Sequence, residues 1–175
     1  MDATPHNQPA EALRFGHGET GLGLVLVAMS ERGVAAILLG DDRPRLRREL
    51  AGAFPGARLT QDEAGLADII AKVAAFIAAP HTGLDLPLDP RGSDLERAVW
   101  RALRTIPPGE TRTYGAIAKA LPTPATAQEV GAACAANVLA VAIPCHRVVK
   151  ADGSVSGYRW GVKRKLALIN LEGVA

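Results

Sequence analysis

Cys145 stands in the context best suited to chemistry in this chain. It follows Pro144, precedes His146 and Arg147, and closes an apolar run at residues 138–143. Cysteine attacks as its thiolate, and a thiolate at neutral pH needs a base or a positive field. His146 and Arg147 offer one of each. Adjacent side chains on extended backbone point to opposite sides, so His146 reaches the thiol only through a tight turn or a bridging water. A buried cysteine can also be a plain small hydrophobe. Cys134, set among alanines, fits that description; three polar groups in a row at 145–147 do not. The two tyrosines, Tyr114 and Tyr158, sit at element boundaries, where a phenol either simply packs or stacks and donates a hydrogen bond at once. Asn137 is placed to cap a helix C-terminus or to hydrogen-bond the backbone carrying Cys145. Glu172 lies late in a helix, against the macrodipole, as a solvated carboxylate or as a partner for His146. On the Cys-His pair alone, a cysteine hydrolase is also open.

These residues need elements to hold them. Residues 22–29 (LGLVLVAM) and 34–39 (VAAILL) predict a hairpin around Ser30-Glu31-Arg32-Gly33. Residues 44–54 predict a short helix stopped by Pro55-Gly56, and 66–79 a second, strongly apolar one. Residues 1–12 look like a loose tail. The character changes near Asp89-Pro90-Arg91-Gly92. Ser93 and Glu96 form a capping box for a helix running to about Thr105. Thr113 caps a short helix over 114–121. Thr126 and Glu129 form a second capping box, opening a helix that ends near Asn137. Gly157, Tyr158, Trp160 and Gly161 make a glycine–aromatic loop, and a last helix covers 162–172. The pair 114–121 and 126–137 has helix-turn-helix proportions. Its second helix carries almost only small side chains, so it can approach a neighbouring helix, a sheet or a nucleic-acid groove very closely.

The chain has 175 residues, 48% hydrophobic and 22% charged, the composition of one or two globular domains and not of a disordered chain. With 32 alanines against three Phe, two Tyr and two Trp, the core must be aliphatic and fine-grained. No apolar run reaches the roughly 18 residues of a membrane span, and no basic segment precedes an apolar one, so neither membrane insertion nor a signal peptide is expected. Two cysteines exclude a disulfide framework or a four-cysteine zinc site; a single bridge between them stays open, but a chain this size does not need one, and they are read as free thiols in a cytoplasmic protein without metal or cofactor. Residues 1–88 carry 8 Lys/Arg against 11 Asp/Glu, residues 89–175 carry 12 against 7. The basic second half suits a polyanionic partner.

Ile143-Pro144-Cys145-His146-Arg147-Val148 resembles the active-site signature of the O6-alkylguanine-DNA alkyltransferases, the methylated-DNA–protein-cysteine methyltransferase family. Residues 98–103 (AVWRAL), 106–111 (IPPGET), Thr113-Tyr114, 132–137 (AACAAN) and 157–161 (GYRWG) are similar to that family too, most of all to the C-terminal half of the bacterial adaptive-response regulator, whose N-terminal flank 36–42 and 86–89 also resemble. The resemblance covers residues 13–172. It implies an α/β N-terminal domain over 13–88, with a ribonuclease-H-like sheet and helices. A mainly helical, winged-helix-like domain over 89–175 would follow, carrying the helix-turn-helix. It further implies a monomer that docks in the minor groove of duplex DNA containing O6-alkylguanine, flips the damaged base and accepts its alkyl group once, stoichiometrically. Residue by residue, Cys145 would be the acceptor, His146 its base through water, Glu172 the partner of His146, and Asn137 a brace. Tyr114, Val148, Tyr158 and Arg159 would line the lesion pocket. Thr113, Ala127, Gln128 and Arg147 would meet the DNA.

Displacing an alkyl group from guanine O6 needs a soft nucleophile and a proton for the leaving base, which a thiolate and a phenol supply without a metal. The thioether formed has no carbonyl for water to attack. Four positions depart from the family pattern. Gln128 stands where arginine is usual, Glu129 where a small residue is usual, and Leu95-Glu96 where phenylalanine-glutamine is common. These bear on DNA affinity and rate. The alternative function is therefore an alkylguanine-binding module with weak or absent transfer. The regulator's zinc-bearing domain is not in this sequence, so transcriptional sensing is not expected.

Overall fold

The computed structural model describes residues 10–155 and 157–173. The predicted hairpin is present: β2 (Gly23–Met29) and β3 (Val34–Gly40) pair antiparallel, with Ser30 N donating to the Gly33 carbonyl at 2.9 Å across the turn. Two strands go beyond the sequence expectation. β1 (Ala12–Thr20) runs antiparallel to β2, and β4 (Arg58–Gln61) lies parallel to β1, giving the order β3-β2-β1-β4. Ala12 lies inside the segment expected to be a tail, so that expectation fails at its end: Arg58 N already donates to the Glu11 carbonyl at 2.7 Å. Residues 1–9 of that segment lie outside the described residues. Leu13, Phe15 and His17 give β1 its inward period of two, but Gly16 and Gly18 on either side of His17 blur the strand pattern. Gly18 has a packing reason. A Cβ there would sit 2.4 Å from Cγ2 of Ile70, so the apolar helix α2 (Glu63–Ala78) closes on the sheet only over a bare backbone.

Two helices cover the sheet. In α1 (Arg43–Ala53), Pro44 sits in the first turn, where its missing N–H costs nothing, and Leu46 and Leu50 are buried. In α2, Asp62 caps the N-terminus by accepting from Gly65 N at 3.0 Å, and Leu66, Ile70, Val73 and Ile77 face inward at helical spacing.

In the second half both capping boxes are formed. Ser93 and Glu96 open α3 (Asp94–Leu103) through bonds of 3.1 and 2.8 Å. Thr113 accepts from Ala116 N at 3.1 Å and starts α4 (Tyr114–Ala120). Thr126 and Glu129 open α5 (Ala127–Ala136). Trp100 of α3 donates its indole N–H to the Ala133 carbonyl at 2.9 Å, which fixes α3 against α5. A parallel two-stranded ladder, β5 (Arg112–Thr113) with β6 (Val148–Val149), and the last helix α6 (Val162–Leu171) complete the chain.

The two halves share one apolar core and one sheet edge. Val34 bonds Pro87 and Asp89, and Ile37 bonds Val138 and Ala140, all at 2.8–3.0 Å, along the open side of β3. The apolar run 138–143 is therefore not a strand but a looped segment hung on that edge. Val141 within it has φ +63°, a left-handed conformation costing a β-branched residue on the order of 1–3 kcal/mol. Among the described residues no helix is long and apolar enough to cross a membrane.

Candidate active site

Directly after that strained loop the chain makes a single 3-10 turn at Cys145–Arg147, with all three side chains buried. Asn137 explains how the turn is held. It occupies the C-cap position of α5, and its side chain also braces the loop. Its Nδ2 donates to the carbonyls of Ile143 (3.1 Å) and Leu139 (3.4 Å) and to Cys145 Sγ (3.4 Å), while its Oδ1 accepts from Leu139 N at 2.8 Å. Both sequence readings of Asn137 thus coexist.

Behind the thiol lies a buried ionic cluster. His146 Nε2 is 2.7 Å from Glu172 Oε1. The Arg147 guanidinium grips the same carboxylate from Nε and Nη2 at 2.7–3.1 Å and donates from Nη1 to the Ile106 carbonyl at 2.6 Å. Glu172 is therefore no solvated carboxylate: it is 3% exposed. Burial alone would raise its pKa, but the bonds from His146 and Arg147 win and hold it down to about 2. Burial pushes the His146 imidazole below its usual value despite Glu172, so it rests neutral. With Glu172 ionised, Nε2 carries the hydrogen and Nδ1 keeps its lone pair; Nδ1 is buried with no protein partner among the described residues. Burial also raises the Cys145 thiol, outweighing the Asn137 hydrogen bond and the nearby Lys165 charge, so Cys145 rests protonated.

Cys145 lines a pocket of about 330 Å³. One wall is Gly131, Cys134 and Ala135 of α5, the other is Gly157, Tyr158 and Arg159, and Tyr114 lines the pocket as well. A larger cleft of about 600 Å³, lined by Phe54, Arg91 and Arg159 among others, does not include Cys145. The small α5 residues form the pocket wall as well as the helix's outer face, where Ala127, Gln128, Ala132 and Ala135 are exposed. Cys134 lies in the wall, but burial lifts its pKa to about 12, which makes it unreactive at neutral pH.

Cys145, Tyr114, Tyr158 and Arg159 meet in this pocket as expected from sequence, and His146, Glu172 and Asn137 stand behind it. Two expectations fail. Arg147 does not face a DNA partner: it is 5% exposed and its donors go to Glu172 and Ile106. Val148 is fully buried in β6 and does not line the pocket. Thr113 is half-buried and directs its side-chain oxygen to the α4 cap. Sequence reasoning missed Lys165. Its side chain is fully buried, with Nζ 3.4 Å from both Tyr114 Oη and the Gly157 carbonyl. The signal was available: Lys165, Leu168 and Ile169 share one helical stripe, and a cation on an apolar stripe is out of place.

Comparison with known proteins gives this arrangement a context. A methylated-DNA–protein-cysteine methyltransferase of Mycolicibacterium paratuberculosis is 44% identical over 113 residues, covering 65% of this chain and 68% of that protein. The chain belongs to the methylated-DNA–protein-cysteine methyltransferase family. Residues 94–174 match the family model for the DNA-binding domain of 6-O-methylguanine DNA methyltransferase. The bifunctional transcriptional activator/DNA repair enzyme Ada of Escherichia coli K12 is 48% identical over 161 residues, 92% of this chain, and the chain spans about half (46%) of that protein's length. Among solved structures, Mycobacterium tuberculosis OGT in complex with DNA superposes with a TM-score of 0.75 at 33% identity, covering 91% of this chain and 92% of that one. The mixed α/β architecture is thus that of the methyltransferase family.

Proposed function

We propose that this protein repairs DNA by transferring the alkyl group of O6-alkylguanine to Cys145, once per molecule. The observation that carries this is the placement of a buried thiol in a pocket of about 330 Å³ that opens beside an exposed, small-residue helix face. The guanine would be flipped from the minor groove into that pocket, as a base must be to reach a recessed nucleophile. His146 Nδ1 takes the thiol proton through a water. Glu172, held ionised by Arg147, stabilises the imidazolium that forms. The Cys145 sulfur attacks the alkyl carbon, the carbon–O6 bond breaks, and its electron pair stays on the base, which takes a proton from Tyr114 Oη. The product is a thioether and guanine. O4-alkylthymine would present the same leaving oxygen in a smaller base.

On this reading residues 13–88 form the ribonuclease-H-like domain and 89–175 the winged-helix-like domain. The parallel β1–β4 pair beside an antiparallel meander, and the α4–α5 pair, support that division. The protein works as a monomer in the cytoplasm on duplex DNA, a setting that suits two free thiols. Intact-mass measurement after incubation with O6-methylguanine duplex tests the function: one added methyl per chain is expected. An unmodified chain that retains the duplex identifies the binding module favoured by Gln128 instead.

Two predictions follow from the α5 face. Its small residues offer few groups for base-edge readout, so duplex binding should be nearly independent of sequence. Binding should fall steeply with salt, with a log–log slope of about −0.9 per phosphate neutralised. A flat salt profile in a titration would contradict this. Gln128 is an exposed long side chain near the start of α5, two residues after the Thr126 cap, and is positioned to enter the base stack. It can fill the hole but brings no positive charge. Glu129 beside it is tied into the capping box, at 3.0 Å from Thr126 N, which draws its carboxylate back toward the helix N-terminus. Gln128→Arg should raise the transfer rate on duplex O6-methylguanine by about three- to tenfold and leave the free base unchanged, since flipping costs a few kcal/mol that a charged wedge partly offsets. Equal gains on both substrates would refute a wedge role.

A further inference from the structure

Arg159 does more than line the pocket. Its Nη1 donates to the Ala135 carbonyl at 2.9 Å, one of the last-turn carbonyls of α5 that lack a helical partner. Its Nε donates to Glu49 Oε1 at 3.1 Å, and Glu49 belongs to α1 in the first half of the chain. Both side chains of this ion pair are more than two-thirds buried, at 28% and 27% exposure. One guanidinium therefore spans three elements: the α5 wall of the pocket, the loop forming the opposite wall, and α1 outside it. The far end of the same loop is tied to the first half as well. Arg164 donates to the Trp160 carbonyl (3.1 Å), to the Leu22 carbonyl (2.8 Å) and to Asp41 (2.8 Å).

From this geometry we propose that Glu49 is a positioning residue that fixes the separation of the two pocket walls and so sets the size of alkyl group admitted beside Cys145. Glu49 touches neither Cys145 nor the pocket interior. It acts by orienting Arg159, whose reach to Ala135 holds the Gly157–Tyr158–Arg159 wall against α5. Without the carboxylate, the guanidinium keeps one anchor of two, and the loop relaxes outward. The walls carry small side chains on the α5 side, so a small outward shift translates directly into room for a longer alkyl chain. The size limit is thus imposed from the half of the molecule that contributes no residue to the reaction.

The inference rests on the alkyl-acceptor reading, and the test separates the two. Transfer rates from duplex O6-methylguanine and O6-butylguanine are measured by intact mass for wild type, Glu49→Ala, Glu49→Asp and Arg159→Ala, and for the Glu49→Ala/Arg159→Ala pair. Amide hydrogen exchange is followed over residues 157–161 in the same proteins. Glu49→Ala should raise the butyl-to-methyl rate ratio about two- to fivefold, the range expected for one partly exposed ion pair. Glu49→Asp should fall between it and wild type. In the Arg159→Ala background the Glu49 change should add nothing, and exchange of residues 157–161 should quicken in Glu49→Ala. An unchanged ratio, an undiminished Glu49 effect without Arg159, or unchanged exchange would overturn the proposal. Wild-type protein that gains no alkyl group at all would overturn the acceptor reading, and the exchange measurement would still decide whether Glu49 holds the loop.

Discussion

Cys145→Ala should gain no alkyl group from O6-methylguanine DNA, while its affinity for the duplex stays close to wild type. The same is expected of Cys145→Ser, with a fall in transfer rate of about a thousandfold or more, because a buried hydroxyl is a far weaker nucleophile than a thiol that a neutral imidazole can deprotonate. Cys134 offers no substitute. It lines the same pocket, but its pKa of about 12 leaves essentially no thiolate at pH 7, and neither the Asn137 bond nor a neighbouring histidine supports it. Duplex binding should persist because, on the proposed reading, the exposed α5 face and not the pocket floor would meet the DNA. Peptide mapping after reaction decides the matter. A methyl on Cys134, or undiminished uptake in either Cys145 variant, would remove Cys145 from the mechanism.

Glu172→Gln should cost the fold about 3–5 kcal/mol and slow transfer as well. The carboxylate is the shared partner of His146 and Arg147, and removing one member of a buried charge cluster leaves the other charge uncompensated. The pH dependence has a definite sign. The folded pKa of Glu172, about 2, lies below its ordinary value of 4.5. The stabilisation is therefore complete above about pH 4.5 and is lost as pH falls toward 2. His146 adds to the same trend: buried and neutral, it gains a proton on unfolding once the pH drops below the ordinary histidine value. Urea denaturation between pH 7 and pH 3 should show wild type losing its advantage over Glu172→Gln progressively below pH 4.5. A gap between the two that stays constant across that range would show that the ionised carboxylate is not what holds the cluster together.

The parts of the molecule legible in sequence are those decided within a few residues. Ser93 with Glu96 and Thr126 with Glu129 announce helix starts because each pair closes its own hydrogen bonds at a spacing of three. Thr113 does so alone, and the β2–β3 hairpin follows from turn residues between two apolar runs. The Pro-Cys-His-Arg string likewise marks Cys145 as the candidate nucleophile, though by itself it leaves the reaction class open. β1 and β4 were not legible, because β1 is interrupted by glycines placed for Ile70 of α2, and β4 takes its shape from pairing with a strand more than 40 positions earlier.

What tertiary structure decided is where each charge ends. Arg147 follows His146 in sequence and has the character of a surface cation, yet the returning C-terminal end of α6 brings Glu172 beneath it, and a bidentate buried pair compensates its charge. Lys165 turns inward to Tyr114 because the α6 stripe must face the core. Glu49 meets Arg159 across 110 positions because β3's open edge takes up both Val138 and Ala140 and draws the two halves together. Local sequence fixes backbone geometry through steric preference and short-range hydrogen bonds. Which distant partner satisfies a side chain depends on how the chain returns, and only the packed fold determines that.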